Sequence, residues 1–90
     1  MSVEMHISSY FTPYTNNQQI VQVNGRNVDE CLNDLAEQFP ALKQALFDKK
    51  GKLYHHYDVF INGESVYPNV QSAPVKDGDK LNIVWIIQGG

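Results

Sequence analysis

One amphipathic helix in a chain otherwise patterned for strands limits the fold more than any other feature. In "NGRNVDECLNDLAEQFP", Val28, Leu32, Leu35, Ala36 and Phe39 recur at helical spacing, with Cys31 on the same side. Asn27 is placed to cap the helix, and Glu30 stands three residues on, as in a capping box. Pro40 interrupts the pattern, and "ALKQALFD" reads as a short second helix with Pro40 near its first turn. A lone apolar stripe of this kind is buried by laying the helix on one face of a sheet.

The flanking segments supply that sheet. Val3, Met5 and Ile7 alternate with Glu4, His6 and Ser8, predicting a strand from Val3 to Tyr10. A polar loop, "TPYTNNQQ", carries Pro13 and the turn-forming pair Asn16-Asn17. "QIVQV" then predicts the hairpin partner. Further on, Tyr57, Val59 and Ile61 oppose Asp58, Phe60 and Asn62; Asn62-Gly63 is a turn signal, "ESVYP" a short return, and Asp77-Gly78 a second turn. The last strand, Leu81 to Ile87, is apolar on both sides, with Leu81, Ile83, Trp85 and Ile87 on one face and Val84 and Ile86 on the other. So apolar a strand belongs in the middle of a sheet, beside the first. The expected fold is α+β: a mixed sheet of four to five strands, covered on one face by one main helix plus a short second helix. Residues 1–87 form the domain and 88–90 a flexible tail.

Ninety residues support one core. A net charge of −3 argues against nucleic acid as a partner. No apolar run approaches the ~18 residues of a membrane span, and "MSVEMHISSY" has neither the basic nor the apolar region of a signal peptide. The single cysteine fits a reducing compartment, so a cytoplasmic location is expected.

No group of residues reads as an active site. Cys31 falls on the inward side of the helix and reads as a buried structural thiol. His55-His56 lack a Cys or carboxylate at ligand spacing, so no metal is expected. Tyr54 and Tyr57 read as anchors of their loop. Asp77 and Asp79 bracket Gly78 as turn residues, and "NGRN" lacks the Gly-Lys-Ser/Thr of a phosphate loop. What stands out is Gly89-Gly90, closing the sequence directly after a hydrophobic run. Two readings compete: a frayed end of small residues, or a carboxylate delivered through a narrow channel that side chains would block. Gln88 to Gly90, fully extended, reach roughly 10 Å. Val84 and Ile86, with Phe60, face away from the helix; they either dock a partner, pack under the loop containing Tyr67 and Pro68, or pair in a homodimer.

The strand–strand–helix–strand–strand order, "VFINGESV", "VKDGDKLNIVWII" and Gly89-Gly90 together resemble the ubiquitin-like sulfur-carrier family. That family includes the small subunit of molybdopterin synthase, the thiamine sulfur carrier and the carriers of thiocarboxylate-dependent cysteine synthesis. "GKLYHHYDVFINGESV" looks closest to the last of these. The resemblance implies a ubiquitin-like β-grasp domain that is not an enzyme and holds no cofactor. Its Gly90 carboxylate is expected to be adenylated, with ATP, by an E1-like adenylyltransferase. A sulfurtransferase or sulfide source then makes the thiocarboxylate, which a downstream enzyme accepts. Gly89 and Gln88 are the implied tail, Val84, Ile86, Ile87 and Phe60 the implied docking residues, and the free carrier a monomer. Gln88 departs from the small residue common before Gly-Gly. Three alternatives stand beside this reading: a modifier joined through Gly90 to lysines, the small subunit of a molybdopterin synthase, and a plain interaction domain with an incidental tail.

Overall fold

The alternation in the first segment produces a strand, β1 (Ser2–His6), with Val3, Met5 and, just beyond it, Ile7 buried while Glu4 and His6 lie on the opposite face. A computed structural model describes residues 2–86 of the chain. β2 (Ile20–Asn24) runs antiparallel to β1, Ser2 facing Asn24 and His6 facing Ile20. β1 is shorter than expected. After Ile7 the chain turns through a single 3-10 turn at Thr12–Tyr14, because Phe11 and Thr15 fold back into the interior. Asn16 and Asn17 take left-handed φ values of 53° and 62°, which asparagine tolerates.

α1 (Val28–Gln38) buries Val28, Cys31, Leu32, Leu35 and Ala36, the stripe read from the sequence. Its first amides are all satisfied. The Asn27 side chain accepts from the Glu30 N–H at 2.8 Å and the Asn27 carbonyl from the Cys31 N–H at 3.1 Å. The Val28 and Asp29 amides donate to Ala73 and Gln71 carbonyls, both at 2.9 Å. A distant loop therefore completes the helix start. Glu30 reaches back to the Arg26 amide at 2.9 Å, one residue before the position a capping box predicts. Pro40 caps α2 (Ala41–Leu46), which buries Leu42 and Leu46.

β3 (Tyr57–Ile61), β4 (Glu64–Ser65) and β5 (Lys80–Trp85) complete one sheet in the order β2-β1-β5-β3-β4. β5 is central. It runs parallel to β1, Glu4 facing Lys80 and His6 facing Asn82, and antiparallel to β3, Tyr57 facing Trp85 and Ile61 facing Leu81. The fold is the expected mixed sheet of five strands with a main and a short second helix. The described part of the last strand ends before Ile87; the tail of Gln88, Gly89 and Gly90 likewise lies outside the described residues.

The turns follow the sequence signals. Asn62 and Gly63 take φ of 52° and 86° between β3 and β4. The Asp77 carboxylate accepts from the Ser2 amide at 2.8 Å, while Asp79 accepts from the Lys76 amide at 2.7 Å and the Asn62 side-chain amide at 2.9 Å. These two bonds, the Lys76 amide first, hold the Asp79 carboxyl below the usual carboxylate range.

Gly25 marks where β2 meets α1. A Cβ built there would lie 2.7 Å from the Cys31 backbone nitrogen and 2.8 Å from the Glu30 Cβ. Because a backbone atom cannot step aside, Gly25→Ala is expected to cost about 1–3 kcal/mol in urea unfolding. Leu35→Ala, which empties a fully buried position in α1, is expected to cost about 2–5 kcal/mol by the same measurement.

Candidate functional site

β5 leads to the Gly-Gly segment, so its far end is the part of the fold from which any terminal chemistry is presented. Its last described backbone bond joins the Ile86 N–H to the His56 carbonyl at 2.7 Å. Since Asn62 donates to Lys80 on the same edge at 2.8 Å, Lys80, Asn82, Val84 and Ile86 direct their peptide groups toward β3. The ladder thus holds β5 to its neighbour through Ile86, and Ile87, Gln88, Gly89 and Gly90 follow outside the described residues.

Val84 and Phe60 do share the sheet face turned away from α1. Val84 faces Asp58 across the ladder and Phe60 faces Asn82, which makes the two apolar side chains diagonal neighbours. Both are half-buried, as is Ile86. Asp58, on this same face, is only 5% exposed. Its Oδ1 accepts from the Val59 amide at 2.7 Å, and its Oδ2 takes the Ser65 hydroxyl, whose oxygen in turn accepts from the Tyr67 amide at 3.2 Å. This buried carboxylate ties β3 to β4 and to the chain that follows. Val84 and Phe60 flank this bonded group.

Beside the end of β5 lies an aromatic group that sequence reasoning missed. Trp85 shares the parity of Leu81 and Ile83 but is 52% exposed, whereas those two are buried. Its ring meets Tyr10 edge-on at 4.9 Å and lies 5.6 Å from His56 and 6.1 Å from Tyr57. Tyr10, itself 53% exposed, also packs against Phe11. A groove of about 320 Å³ runs here, lined by Tyr10, Phe11, Ile83, Val84 and Trp85. β1 pairs only as far as Asn82, so the end of β5 has no strand on that side and Tyr10 packs there instead. The signal available was a tryptophan late in an apolar strand, without a mark of where its neighbour stops.

The other candidates separate clearly. His55 and His56 belong to this aromatic region, with Tyr54 stacked on His56 at 5.5 Å and Tyr57 buried behind it. Among the described residues no three His, Cys, Asp or Glu side chains gather as a metal would require, and no helix is long and apolar enough to cross a membrane. Cys31 is fully buried. Burial, with Asp34 and Glu30 adding repulsion, pushes its thiol from 9.0 up to about 11.

Comparison with known proteins gives this arrangement relatives. The model of the ThiS family matches residues 9–90. Among solved structures, SAMP1 from Haloferax volcanii superposes with a TM-score of 0.83 at 26% identity, covering 100% of both chains. The Amycolatopsis orientalis BexX/CysO complex contains a chain with a TM-score of 0.83 at 29% identity, covering 98% of this chain and 99% of that one. CysO from Mycobacterium tuberculosis shares the fold with a TM-score of 0.82 at 24% identity, covering 94% and 99%. No curated protein matches the sequence significantly.

The raised thiol gives a signed pH dependence. The unfolded chain releases the Cys31 proton near 9.0 and the folded chain near 11, so the contribution to stability is whole below 9.0 and is lost as pH rises toward 11. The urea midpoint is expected to fall across that window, and to fall less steeply in Cys31→Ala. Native protein is also expected to react with a thiol reagent only at the rate at which it opens.

Proposed function

The chain belongs to the ThiS family of ubiquitin-like sulfur carriers, and on that premise we propose that it carries sulfur on its Gly90 carboxylate without being an enzyme itself. The observation that carries this reading is the span of the family match, which continues through β5 to Gly89 and Gly90. A carboxylate is unreactive toward nucleophiles because its negative charge is delocalised over the carbon they must attack. An E1-like adenylyltransferase removes that obstacle: a Gly90 oxygen attacks the α-phosphorus of ATP, pyrophosphate leaves, and an acyl-adenylate results. Sulfide displaces AMP and leaves the thiocarboxylate directly. A sulfurtransferase's persulfide displaces AMP to give an acyl disulfide, which a thiol reductant cleaves to the same thiocarboxylate, the reductant itself being oxidised to a disulfide. A downstream enzyme then accepts that sulfur for a cofactor or a sulfur amino acid. None of these steps needs a general base, metal or oxyanion hole on the carrier.

The fold supports a division of labour. A central strand held by β3 as far as Ile86 is a rigid base for a short reach. Glycine lets the reach pass a channel closed to larger residues, with Gln88 and Gly89 as the tail before Gly90. Val84, Phe60, Ile86 and Ile87 are the proposed docking residues, and the free carrier is proposed to be a cytoplasmic monomer. Likeness to SAMP1 favours one second reading. Related structures bear the name small archaeal modifier protein 1, so the same adenylated end can be proposed to join lysines instead.

Intact mass after incubation with ATP, a sulfide source and the host's adenylating enzyme tests the carrier. A gain equal to exchanging one oxygen for sulfur on Gly90 is expected, and a chain lacking Gly90 is expected to show none. An unchanged mass with a competent enzyme refutes the proposal, while conjugates that survive reducing agent support the modifier. Docking has its own readout in Trp85, the single tryptophan. Its emission is expected to shift to the blue when the enzyme covers it, and Phe60→Ala with Val84→Ser is expected to raise the KM for the carrier about tenfold while leaving kcat near its original value.

A further inference from the structure

Charge is distributed very unevenly over this molecule. Of seven basic residues, Lys43, Lys49, Lys50 and Lys52 fall within ten positions; with Asp48 they give +3 over residues 43–52 of a chain whose net charge is −3. The rest of the protein therefore carries −6. The one carboxylate in that stretch is engaged by backbone: Asp48 Oδ1 accepts from the Lys50 amide at 2.8 Å and the Lys52 amide at 3.0 Å. Those bonds, Lys52 first, hold it below the usual carboxylate range. Among the described residues the single ion pair is His6 with Glu4, so none of the four ammonium groups has a carboxylate within 4.0 Å. Beyond the loop, the Asp29 carboxylate is bonded by the Gln71 side-chain amide at 2.8 Å.

Three of these lysines, Lys43, Lys49 and Lys52, also line a shaped surface. Tyr54, 37% exposed, divides two grooves. One, of about 510 Å³, lies between Tyr54, Lys43 and Lys49. The other, of about 540 Å³, runs from Lys52 and His55 to Tyr67, which is 57% exposed. Among the described residues no carboxylate lines the second groove, and Asp48 is the sole one at the first. Together they form a trough with cations spread along it and tyrosines projecting from it.

We propose that this lysine–tyrosine trough, formed by α2, the 48–55 loop and residues 67–72, docks an extended acidic segment of a partner protein. Charge complementarity selects the sign of the partner. The spacing of the cations selects its form, since a row of carboxylates meets separated ammonium groups better than one compact anion does. Lysines are point charges on flexible stems, and the chain's only arginine, Arg26, lies outside the lobe, so the surface lacks the planar forks that grip phosphate in pairs. The exposed tyrosine rings supply amphipathic contact area to the segment's apolar parts. This surface does not include Val84 or Phe60, but it adjoins the end of β5, where the Ile86 N–H donates to the carbonyl of His56 beside the second groove.

A fluorescent twelve-residue peptide rich in Glu, with one Leu, probes the trough by anisotropy with the full chain. Binding is expected at low salt, weakening about tenfold when salt is raised to a few hundred millimolar. Two triple variants with the same net charge separate location from total charge. K49Q/K50Q/K52Q is expected to lose binding at least about tenfold, and R26Q/K76Q/K80Q to bind within about twofold of the parent. Tyr54→Ala is expected to weaken binding several-fold and Tyr54→Phe to preserve it. Unchanged amide spectra confirm that each variant folds. Absence of peptide binding at low salt overturns the proposal, as does equal loss in the two triple variants. Tighter binding of single-stranded RNA through the same lysines overturns it in favour of nucleic acid. Self-association in sedimentation that K49Q/K50Q/K52Q abolishes overturns it in favour of a second copy.

Discussion

Everything in this fold depends on pairing β1 with β5 side by side and in parallel. Glu4 and Lys80 are neighbours in space although nearly the whole chain separates them. A parallel pair cannot be closed by a tight turn, so the residues between must leave the sheet and return. α1 and α2 are that return, and their apolar faces cover the sheet. β2 and β3 then take the two flanks, because each is antiparallel to the central strand it joins. The loop that brings the chain back to β5 is held by α1 itself, through the Val28 and Asp29 amides. The helix start and the return to the central strand are therefore fixed by the same bonds.

Much of this was legible in residue order. The 3.6-residue stripe of α1, the alternation of β1 and β3, the Asn62-Gly63 turn and the central place of the most apolar strand all follow from local pattern. What pattern could not supply was extent and depth. β1 ends at His6 rather than Tyr10 because Phe11 is drawn inward, which depends on a tertiary pocket and not on the alternation of Val3, Met5 and Ile7. Asp58 has the right parity for solvent, yet Ser65 satisfies its carboxylate and permits burial. Trp85 has the right parity for the core, yet β1 has already stopped and the ring remains half in water. In each case the period gave the face, and a partner far along the chain decided how much water reached it.

The candidate site divides in the same way. The chemistry proposed for it rests on Gly89 and Gly90, which lie outside the described residues. Its surroundings were not legible in residue order. The Tyr10–Trp85–His56 group is assembled from three separate stretches of chain, and no spacing within one stretch announces it. The lysine trough lies in between. The run Lys49-Lys50-Gly51-Lys52 is visible as charge, but only the structure sets Lys43 and Tyr54 beside one groove and Tyr67 at the end of the other.

The central position of β5 also bears on how the protein comes into being. A ribosome releases β1 and β2 first, and they can form their hairpin early, but the strand that unites this hairpin with β3 emerges last of all the strands. Folding therefore awaits closure of a long loop, a non-local step whose entropic cost grows slowly, with the logarithm of the sequence distance spanned. Until then α1 has only half a sheet to cover, and both halves expose unpaired edges. Insertion of β5 pairs the two inner edges at a stroke and leaves β2 and β4 outermost. A chain arrested before that step lacks the central strand on which the proposed carrier role depends, so structural completeness and that role rest on one strand.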